Sequence, residues 1–410
     1  MVSDPHEAPA ALAGRRVLEI ADEQGAYCGK LFADMGADVV KIERPGGDAS
    51  RLVPPFWGDE PHPERSLPFL YANTSKRGVT LDLEQASGRE IFRRLAARAD
   101  VVIETLPPRT LDALGLGWDD LHALRPELVL TSITGFGQSG PRAGWRSSDL
   151  VANALGGAAM VTGYAEDPPV RLAGSHAHVM ASTNAAAATM IALHHAARTG
   201  AGQHVDISIQ ETMVAVTHIC GVGKWLDDGI VPRRAGTGLF ASVPSGAYRC
   251  RDGLAYLMIN RPAHWRALAE WVHEETGNEA ILSPLFEGPS SQRLEERELL
   301  DVWIEDLTSR HTVREVVQQG QRRHLAFTAV QSAEEVIRDP QLAARGFFVE
   351  VGTEGADGVR LPGAPYRHAR TPWRIRRPAP RVGEHDVEIY CGELGIGEDE
   401  LDRLRAEGAI

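Results

Sequence analysis

The chain has few cysteines, no excess of basic residues and no long apolar run, and each of these absences excludes a class of protein. Its four cysteines in 410 residues are widely separated and form no CxxC pair, so they predict neither a zinc site nor disulfides. The formal net charge of −13 argues against nucleic-acid and anionic-membrane partners, which bind basic surfaces. No stretch of about 18 apolar residues is present, so we expect no transmembrane helix.

The first residues of the chain also lack a targeting signal. Residues 1–13 are rich in proline, alanine and acidic residues and contain no apolar run of the kind that signal peptides carry. Together with the sparse cysteine usage, this composition favours a protein of the reducing cytoplasm. We therefore expect a cytoplasmic location.

The motifs of several common cofactors are missing as well. The turn after the first predicted strand, residues 21–29, contains no GxGxxG, which disfavours the usual kind of NAD binding. No GxxxxGKS/T and no HExxH is present. His194 and His195 are neighbours on a predicted helix, so they do not face the same way as an i,i+4 metal pair would. The sequence predicts no NAD and no metal.

What the chain does contain is a regular alternation of short apolar runs and amphipathic segments. This alternation predicts an α/β fold with an open, Rossmann-like, doubly wound parallel sheet, whose ligands bind beyond the carboxyl ends of the strands. We predict helices at 27–35, 88–99 and 179–198, and strands at 16–20, 38–43, 79–83, 100–104, 128–133 and 204–208.

The sequence pattern changes in the second half of the chain. A chain of 410 residues is also too long for one hydrophobic core of usual size. After Trp225 come a Gly/Ser/Pro loop at 233–246, a predicted hairpin at 248–259 that turns at 251–253, and helical segments rich in tryptophan. We interpret residues 225–325 as a smaller second domain.

Basic residues gather at the loops that border the predicted sheet. Arg44 ends the second strand, and Lys76 with Arg77 precedes the third. A ligand with phosphates would use such residues, because charge-assisted hydrogen bonds to phosphate are strong. Taken alone, each residue is equally compatible with an ordinary surface charge.

Seven sequence blocks resemble, in the same order, those of the family III CoA-transferases, the formyl-CoA and carnitine CoA-transferase type related to alpha-methylacyl-CoA racemase. They read LAGRRVLEI, LFADMGADVVKIERPGGDASR, NTSKRGVTLDL, GREIFRRLAARADVVIE, ALGLGWDDLHALRPELVLTSITGFGQSGP, RTGAGQHVDISIQE and DPQLAARGFF. The resemblance implies a large CoA-binding, Rossmann-like domain formed by 1–200 and 330–410. A small α+β domain, 225–325, is inserted through linkers 201–224 and 326–329. It also implies two subunits interlocked as rings, either a homodimer or a heteromer.

The resemblance further implies which residues bind the nucleotide end of CoA. Arg44 matches a family arginine near the adenine, and Lys76 matches a family lysine near the phosphates. Gln24, in the turn after the first strand, belongs to the same edge of the sheet. CoA, as an acyl-CoA substrate, is the expected ligand, with a carboxylic acid as the acceptor.

The positions expected against the pantetheine depart from the family pattern. Thr105 and Leu106 stand where the family usually has Asn-Phe, so this chain has a hydroxyl in place of the amide and lacks the ring. Ala113 stands where some members have an arginine, and Arg109 is the candidate to replace it.

The largest departure concerns the nucleophile. The family carries an aspartate that attacks the acyl-CoA and forms a mixed anhydride and then an aspartyl-CoA thioester. Here that position falls on His178, and no Asp or Glu lies between Val170 and Ala201. Because the acyl group must pass to and from an oxygen nucleophile, an imidazole does not substitute for it.

Several interpretations follow from this departure. The chain is a non-catalytic subunit beside a homologous Asp-bearing chain, or it performs isomerase, racemase or lyase-type proton transfer with His178, or it binds CoA thioesters without turnover. The racemase-type histidine position falls near Ser148, so that arrangement is not reproduced. A different carboxylate, Asp149, is a further candidate, although its position also suits a helix N-cap. His178 itself is equally compatible with a hydrogen-bonded histidine at a helix start, without chemistry.

Overall fold

The computed structural model describes residues 9–218, 221–239, 242–352 and 358–410. The chain divides into two compact units. The large unit comprises Met1–Gly156, Ala173–Val216 and Gln341–Ile410, and the small unit comprises Gly157–Leu172 and Thr217–Pro340. These bounds differ from the predicted ones, since much of the predicted linker 201–224 belongs to the large unit, where it forms a strand and a helix.

The large unit is built on a sheet of six parallel strands in the order β3-β2-β1-β4-β5-β6. This confirms the predicted α/β class and the doubly wound, Rossmann-like sheet. The predicted third strand is displaced, because the chain turns at Asp82, whose amide donates to the Ala409 carbonyl. The strands are β1 Arg16–Ile20, β2 Asp38–Glu43, β3 Arg77–Thr80, β4 Val101–Glu104, β5 Val129–Thr134 and β6 His204–Ser208.

The helices of the large unit cover the sheet, with a strongly amphipathic α3 on one face. Phe92 and Leu95 of α3 pack against Val102 and Leu130 of the sheet in the main core. The alanine-rich α7 packs closely against α1 and β5. The helices are α1 Ala26–Asp34, α2 Leu67–Ala72, α3 Ala86–Ala96, α4 Thr110–Ala113, α5 Trp118–Leu124, α6 Asp149–Leu155, α7 His176–Thr199 and α8 Ile209–Val216.

The small unit contains a three-stranded antiparallel sheet and its own core. The predicted hairpin is confirmed: β7 Ser245–Cys250 pairs with β8 Gly253–Met258, and β8 pairs with β9 Phe327–Ala329. Trp265, Trp271 and Phe327 are completely or almost completely buried there. Its helices are α9 Val222–Asp228, α10 Pro262–Thr276, α11 Arg297–Thr308, α12 Val313–Arg322 and α13 Ala333–Ile337.

The chain then returns to the large unit. Helix α14 Pro340–Ala344 lies at the boundary, and the strands β10 Phe348–Val351 and β11 Val359–Pro362 form an antiparallel pair. A π-helical segment, Val387–Glu393, and the final helix α15 Glu398–Ala406 add Ile389, Tyr390, Leu401 and Leu404 to the main core. Among the described residues, no helix has both the length and the apolar character needed to cross a membrane.

A buried charge cluster organises the start of the sheet. The carboxylate of Glu19 on β1 accepts hydrogen bonds from Lys76 Nζ, 2.8 Å from each oxygen, and Lys41 Nζ lies 3.6 Å away. All three side chains are completely buried. Gly29 on α1 leaves the room for this carboxylate, since a Cβ there would overlap Glu19 Oε2 and lie 3.2 Å from Lys76 Nζ.

Replacing Gly29 by alanine should therefore destabilise the protein. We expect the free energy of unfolding to fall by about 3 kcal/mol, because the added methyl group both overpacks the core and displaces a buried ion pair. The urea midpoint of unfolding measures this change. Gly392→Ala is the matched control, because a Cβ on this helical glycine meets no described atom within 4 Å. Equal midpoints for the two variants would contradict the prediction.

Candidate active site

A cavity of about 570 Å³ lies beyond the carboxyl ends of the strands in the large unit. It is situated where the strand order reverses, between β1 and β4, the place at which open α/β sheets bind their ligands. The residues that matter for its chemistry follow β1, β2 and β4 directly, and they are Asp22, Arg44, Gly46, Gly47, Thr105 and Leu106.

Arg44 is the basic residue best placed to meet a ligand in this cavity. Its side chain is 75% exposed, and its nearest acidic partner, Glu84, lies 4.0 Å away across open solvent. Such an exposed pair is weak, so the guanidinium can turn to an anionic ligand with little loss. The predicted position of Arg44 at the rim of a ligand site is therefore consistent with this geometry.

Asp22, which lines the cavity, hydrogen-bonds to two of the predicted residues, Thr105 and Gln24. Thr105 Oγ1 donates to Asp22 Oδ1 and accepts from the Asp22 amide, both at 3.0 Å. Asp22 also accepts hydrogen bonds from the Gln24 amide and side chain. Gly25 makes this close approach possible, because a Cβ there would lie 2.6 Å from Thr105 Cγ2. Gln24 itself does not line the cavity.

Asp22 was not singled out from the sequence. Its position in the sequence could have indicated a role, because Asp22 comes two residues after β1, and ligands of open α/β sheets bind at the carboxyl ends of the strands. Its partner Thr105 lies 83 positions further along the chain, and only the parallel pairing of β1 with β4 brings the two together.

Lys76 occupies a different environment from the one expected. Its ammonium is completely buried and donates to both Glu19 oxygens, the Ala26 carbonyl and Asn73 Oδ1, each at 2.8 Å. Burial lowers the pKa of Lys76 to about 8, against the opposing effect of Glu19. These four acceptors use all three ammonium hydrogens, so the lysine holds the fold here. The predicted phosphate contact stays a prediction without geometric support.

Arg109 also lies apart from Arg44. It has a left-handed backbone with φ of 66° and an exposed side chain at the rim of a second cavity of about 510 Å³. That cavity is lined by Glu104, Ser132 and His204 among others. The structure thus separates Arg109 from the cavity that contains Thr105 and Leu106, and its predicted contact with CoA stays a prediction.

Asp149 and His178 meet at the beginning of α7. Asp149 Oδ1 accepts the Ala177 amide at 2.8 Å, and Asn153 Nδ2 donates to Oδ2 at 3.0 Å. The predicted N-cap role at its own helix α6 is wrong, because Ser148 Oγ accepts the Val151 amide and caps that helix. Asp149 instead accepts a backbone amide in the first turn of α7, and its negative charge stabilises the positive end of that helix dipole.

His178 is a buried residue whose imidazole lacks the hydrogen bonds that a buried polar group normally makes. Its side chain is 6% exposed, and within the described ranges neither ring nitrogen has a hydrogen-bond partner. The interpretation as a hydrogen-bonded histidine at a helix start is therefore not supported. A buried polar group left unpaired costs about 1–3 kcal/mol, so a ligand or partner group that bonds this imidazole would be stabilised.

The surroundings of His178 favour a neutral ring. Burial lowers its pKa, and the carboxylates of Asp149 and Asp22 oppose the shift without reversing it. One turn further along α7, Ser182 Oγ donates to the Gln24 carbonyl at 3.0 Å, which holds α7 against the turn after β1. The structure thus associates Gln24, Asp149 and His178, while Lys76 and Arg109 lie elsewhere.

The imidazole of His178 should accordingly titrate below the ordinary histidine pKa of 6.5. Since the unfolded chain then binds more protons, acidification through this range should lower the free energy of unfolding. The Cε1–H chemical shift followed by NMR from pH 4.5 to 8 gives the pKa directly, with His178→Gln to assign the signal. A pKa of His178 at or above 6.5 would contradict the prediction.

The sequence is similar to proteins of one known family over nearly its whole length. Residues 12–386 match the sequence profile described as CoA-transferase family III. The succinyl-CoA:(R)-benzylsuccinate CoA-transferase subunit BbsE of Thauera aromatica is 36% identical over 407 residues, which cover 96% of this chain and 97% of that protein. Succinyl-CoA–D-citramalate CoA-transferase of Chloroflexus aurantiacus is 32% identical and covers 98% of both chains.

Comparison with solved structures also finds a protein of similar fold. The crystal structure of a CAIB/BAIF family protein from Brucella suis superposes with a TM-score of 0.81 at 29% identity, and the match covers 93% of this chain and 99% of that one. Sequence and structure are thus similar over nearly the whole length of the chain. The chain belongs to the CoA-transferase family III.

Proposed function

We propose that the chain binds an acyl-CoA thioester for CoA transfer to a carboxylic acid. The nucleotide end lies near Arg44 in the cavity beyond β1, β2 and β4, and the pantetheine runs along Thr105 and Leu106. Family membership, the position of the cavity at the reversal of strand order and the exposed guanidinium support this placement.

The catalytic part of the proposal depends on the buried imidazole of His178, which has no hydrogen-bond partner among the described residues and stands where the family resemblance places a carboxylate. The nearest candidate carboxylate, Asp149, has each oxygen engaged, one by the Ala177 amide and one by Asn153. We therefore propose that this chain is the non-catalytic subunit of a heteromeric transferase and pairs with a homologous subunit that bears the aspartate. The name of one relative, which describes it as a subunit, supports this assignment.

An exposed apolar surface supports assembly with another chain. Ile191 is 70% exposed on α7, and Met190, Val179 and Met180 on the same helix are about two-fifths exposed. Solvent-exposed apolar side chains gathered on one helix are typical of a surface that another chain covers. The proposed assembly is the interlocked pair of the family, formed with the homologous subunit; a homodimer is the alternative if this chain is not the non-catalytic subunit.

A second candidate function rests on the same imidazole. A neutral ring with both nitrogens unpaired can accept a proton from a bound thioester, as isomerases, racemases and lyases require. Exchange of the α-proton of an acyl-CoA in deuterated water, lost in His178→Gln, would support this function over CoA transfer.

Charge reversal at Arg44 should weaken CoA binding. We expect the dissociation constant of CoA to rise about tenfold in Arg44→Glu, because a charge-assisted contact is replaced by repulsion. Isothermal titration calorimetry measures the affinity. Arg338→Glu is the matched control, because its side chain is also 75% exposed but belongs to the small unit. Equal affinities of the two variants would contradict the placement of the nucleotide.

The unmodified chain should form no covalent acyl or thioester adduct by itself. After treatment with succinyl-CoA, hydroxylamine or borohydride trapping followed by mass spectrometry should find no modified Asp or Glu. In His178→Asp a carboxylate stands at the family's nucleophile position, and trapping there would locate the site. His176→Asp, an exposed change in the same turn of α7, is the control. An adduct on Asp149 or another acid of the unmodified chain would refute the proposal of a non-catalytic subunit.

A further inference from the structure

The register of the sheet places four polar side chains on one face near the second cavity. Glu104 on β4 lies beside Ser132 on β5, and Ser132 lies beside Asp206 on β6. His204 is two residues before Asp206 and therefore points to the same face. The parallel pairing of three strands thus assembles a carboxyl, a hydroxyl and an imidazole that lie about 30 to 100 residues apart in the sequence.

These side chains form a connected path from the sheet interior outward. Glu104 Oε2 accepts the Leu106 amide at 2.6 Å, and Ser132 lies beside Glu104 on the neighbouring strand, where its hydroxyl favours the ionised carboxylate and opposes the rise of its pKa. Ser132 Oγ lies 2.9 Å from His204 Nε2. Glu104 and Ser132 are almost completely buried, whereas His204 is exposed and stacks on Trp118 with 6.3 Å between the ring centres.

The direction of these hydrogen bonds depends on whether Glu104 carries a proton. An ionised Glu104 accepts from Ser132, so Ser132 must accept from His204 Nε2–H. A protonated Glu104 donates to Ser132, which then donates to an unprotonated Nε2. In the ionised form Glu104 is also the stronger acceptor for the Leu106 amide, because charge-assisted hydrogen bonds are shorter and stronger.

The environment of Glu104 brings its ionisation near neutral pH. Burial raises the pKa of Glu104 to about 7, with smaller upward effects of Asp206 and Asp112, while Ser132 and the Leu106 amide oppose the shift. Burial lowers the pKa of His204. The charged groups that line the cavity or face Glu104 from neighbouring elements are Arg109 before α4, Asp112 on α4, Asp119 and Asp120 on α5, and His204 and Asp206 on β6.

We propose that Glu104 is a positioning residue for the CoA thioester, which fixes the Thr105–Leu106 turn through the Leu106 amide and is itself held by Ser132 and His204. The inference rests on the proposed function, since Thr105 and Leu106 line the cavity assigned to CoA. Glu104 does not line that cavity and acts on the ligand through the turn.

Two probes separate the pantetheine side from the nucleotide side. Coenzyme A and adenosine 3′,5′-bisphosphate share the nucleotide phosphates, and the bisphosphate lacks the pantetheine that would meet the turn. Their affinities are measured by calorimetry on the full-length chain at pH 6, 7 and 8. Both probes carry the titrating 3′-phosphate, but the bisphosphate also carries a 5′-phosphate monoester that ionises in this range. The contribution of the turn is therefore obtained by comparing the pH dependence of the affinity ratio in the unmodified chain with that in Glu104→Gln, in which the probes titrate in the same way.

In Glu104→Leu the affinity for CoA should fall about tenfold and that for the bisphosphate should stay within about twofold, because the Leu106 amide loses its acceptor. Glu127→Gln, an exposed change outside both cavities, is the control. Glu104→Gln keeps an oxygen acceptor but does not ionise. Between pH 6 and pH 8 the affinity ratio of CoA to bisphosphate in the unmodified chain should therefore rise relative to the ratio in Glu104→Gln.

The outcomes distinguish this inference from the proposed function. If the unmodified chain binds neither probe, the proposed function fails and the inference fails with it. If the chain binds both probes but Glu104→Leu retains the full affinity ratio, or Glu104→Gln keeps the pH dependence, Glu104 does not position the turn. Should Glu104→Leu not fold, the pH profile of the nearly isosteric Glu104→Gln decides alone.

Discussion

The large unit depends on the neutralisation of one buried carboxylate, that of Glu19. A buried charge is stable only when it is paired and hydrogen-bonded, and Lys76 and Lys41 supply both. The two lysines reach beyond the carboxylate: Lys41 Nζ donates to the Ala21 carbonyl at 2.6 Å and Lys76 Nζ to the Ala26 carbonyl. The same charge cluster therefore fixes both ends of the turn after β1, which carries Asp22 and Gln24 to the site.

Burying an ionisable group disfavours its charged form, and three buried groups of the large unit show three different responses to this cost. Glu19 is matched by opposite charges, and Glu104 shifts toward its neutral form while it accepts the Leu106 amide. His178 favours the neutral form, and neither of its ring nitrogens has a hydrogen-bond partner among the described residues. In the first two cases the fold itself satisfies the group. The described part of the fold does not satisfy His178, and this difference is the physical basis for the proposed role of the start of α7.

Much of the fold could be predicted because its signals are local. The strands Arg16–Ile20, Asp38–Glu43 and His204–Ser208 have the predicted bounds, since apolar or β-branched residues flanked by turn residues fix them. The third strand begins two residues and ends three residues earlier than predicted, because the chain leaves the sheet before Asp82, whose amide donates to the Ala409 carbonyl at the far end of the chain. No local pattern contains that bond.

The sequence by itself determined the α/β class, the family resemblance and the absence of a carboxylate between Val170 and Ala201, since each depends on residue identity along the chain. The tertiary structure decided which charges are free. Lys76 and Arg44 look alike as basic residues beside strands, yet one is buried against Glu19 and the other is 75% exposed. Burial and pairing arise from residues distant in sequence, so they set the pKa values and contacts of a site that residue types alone leave open.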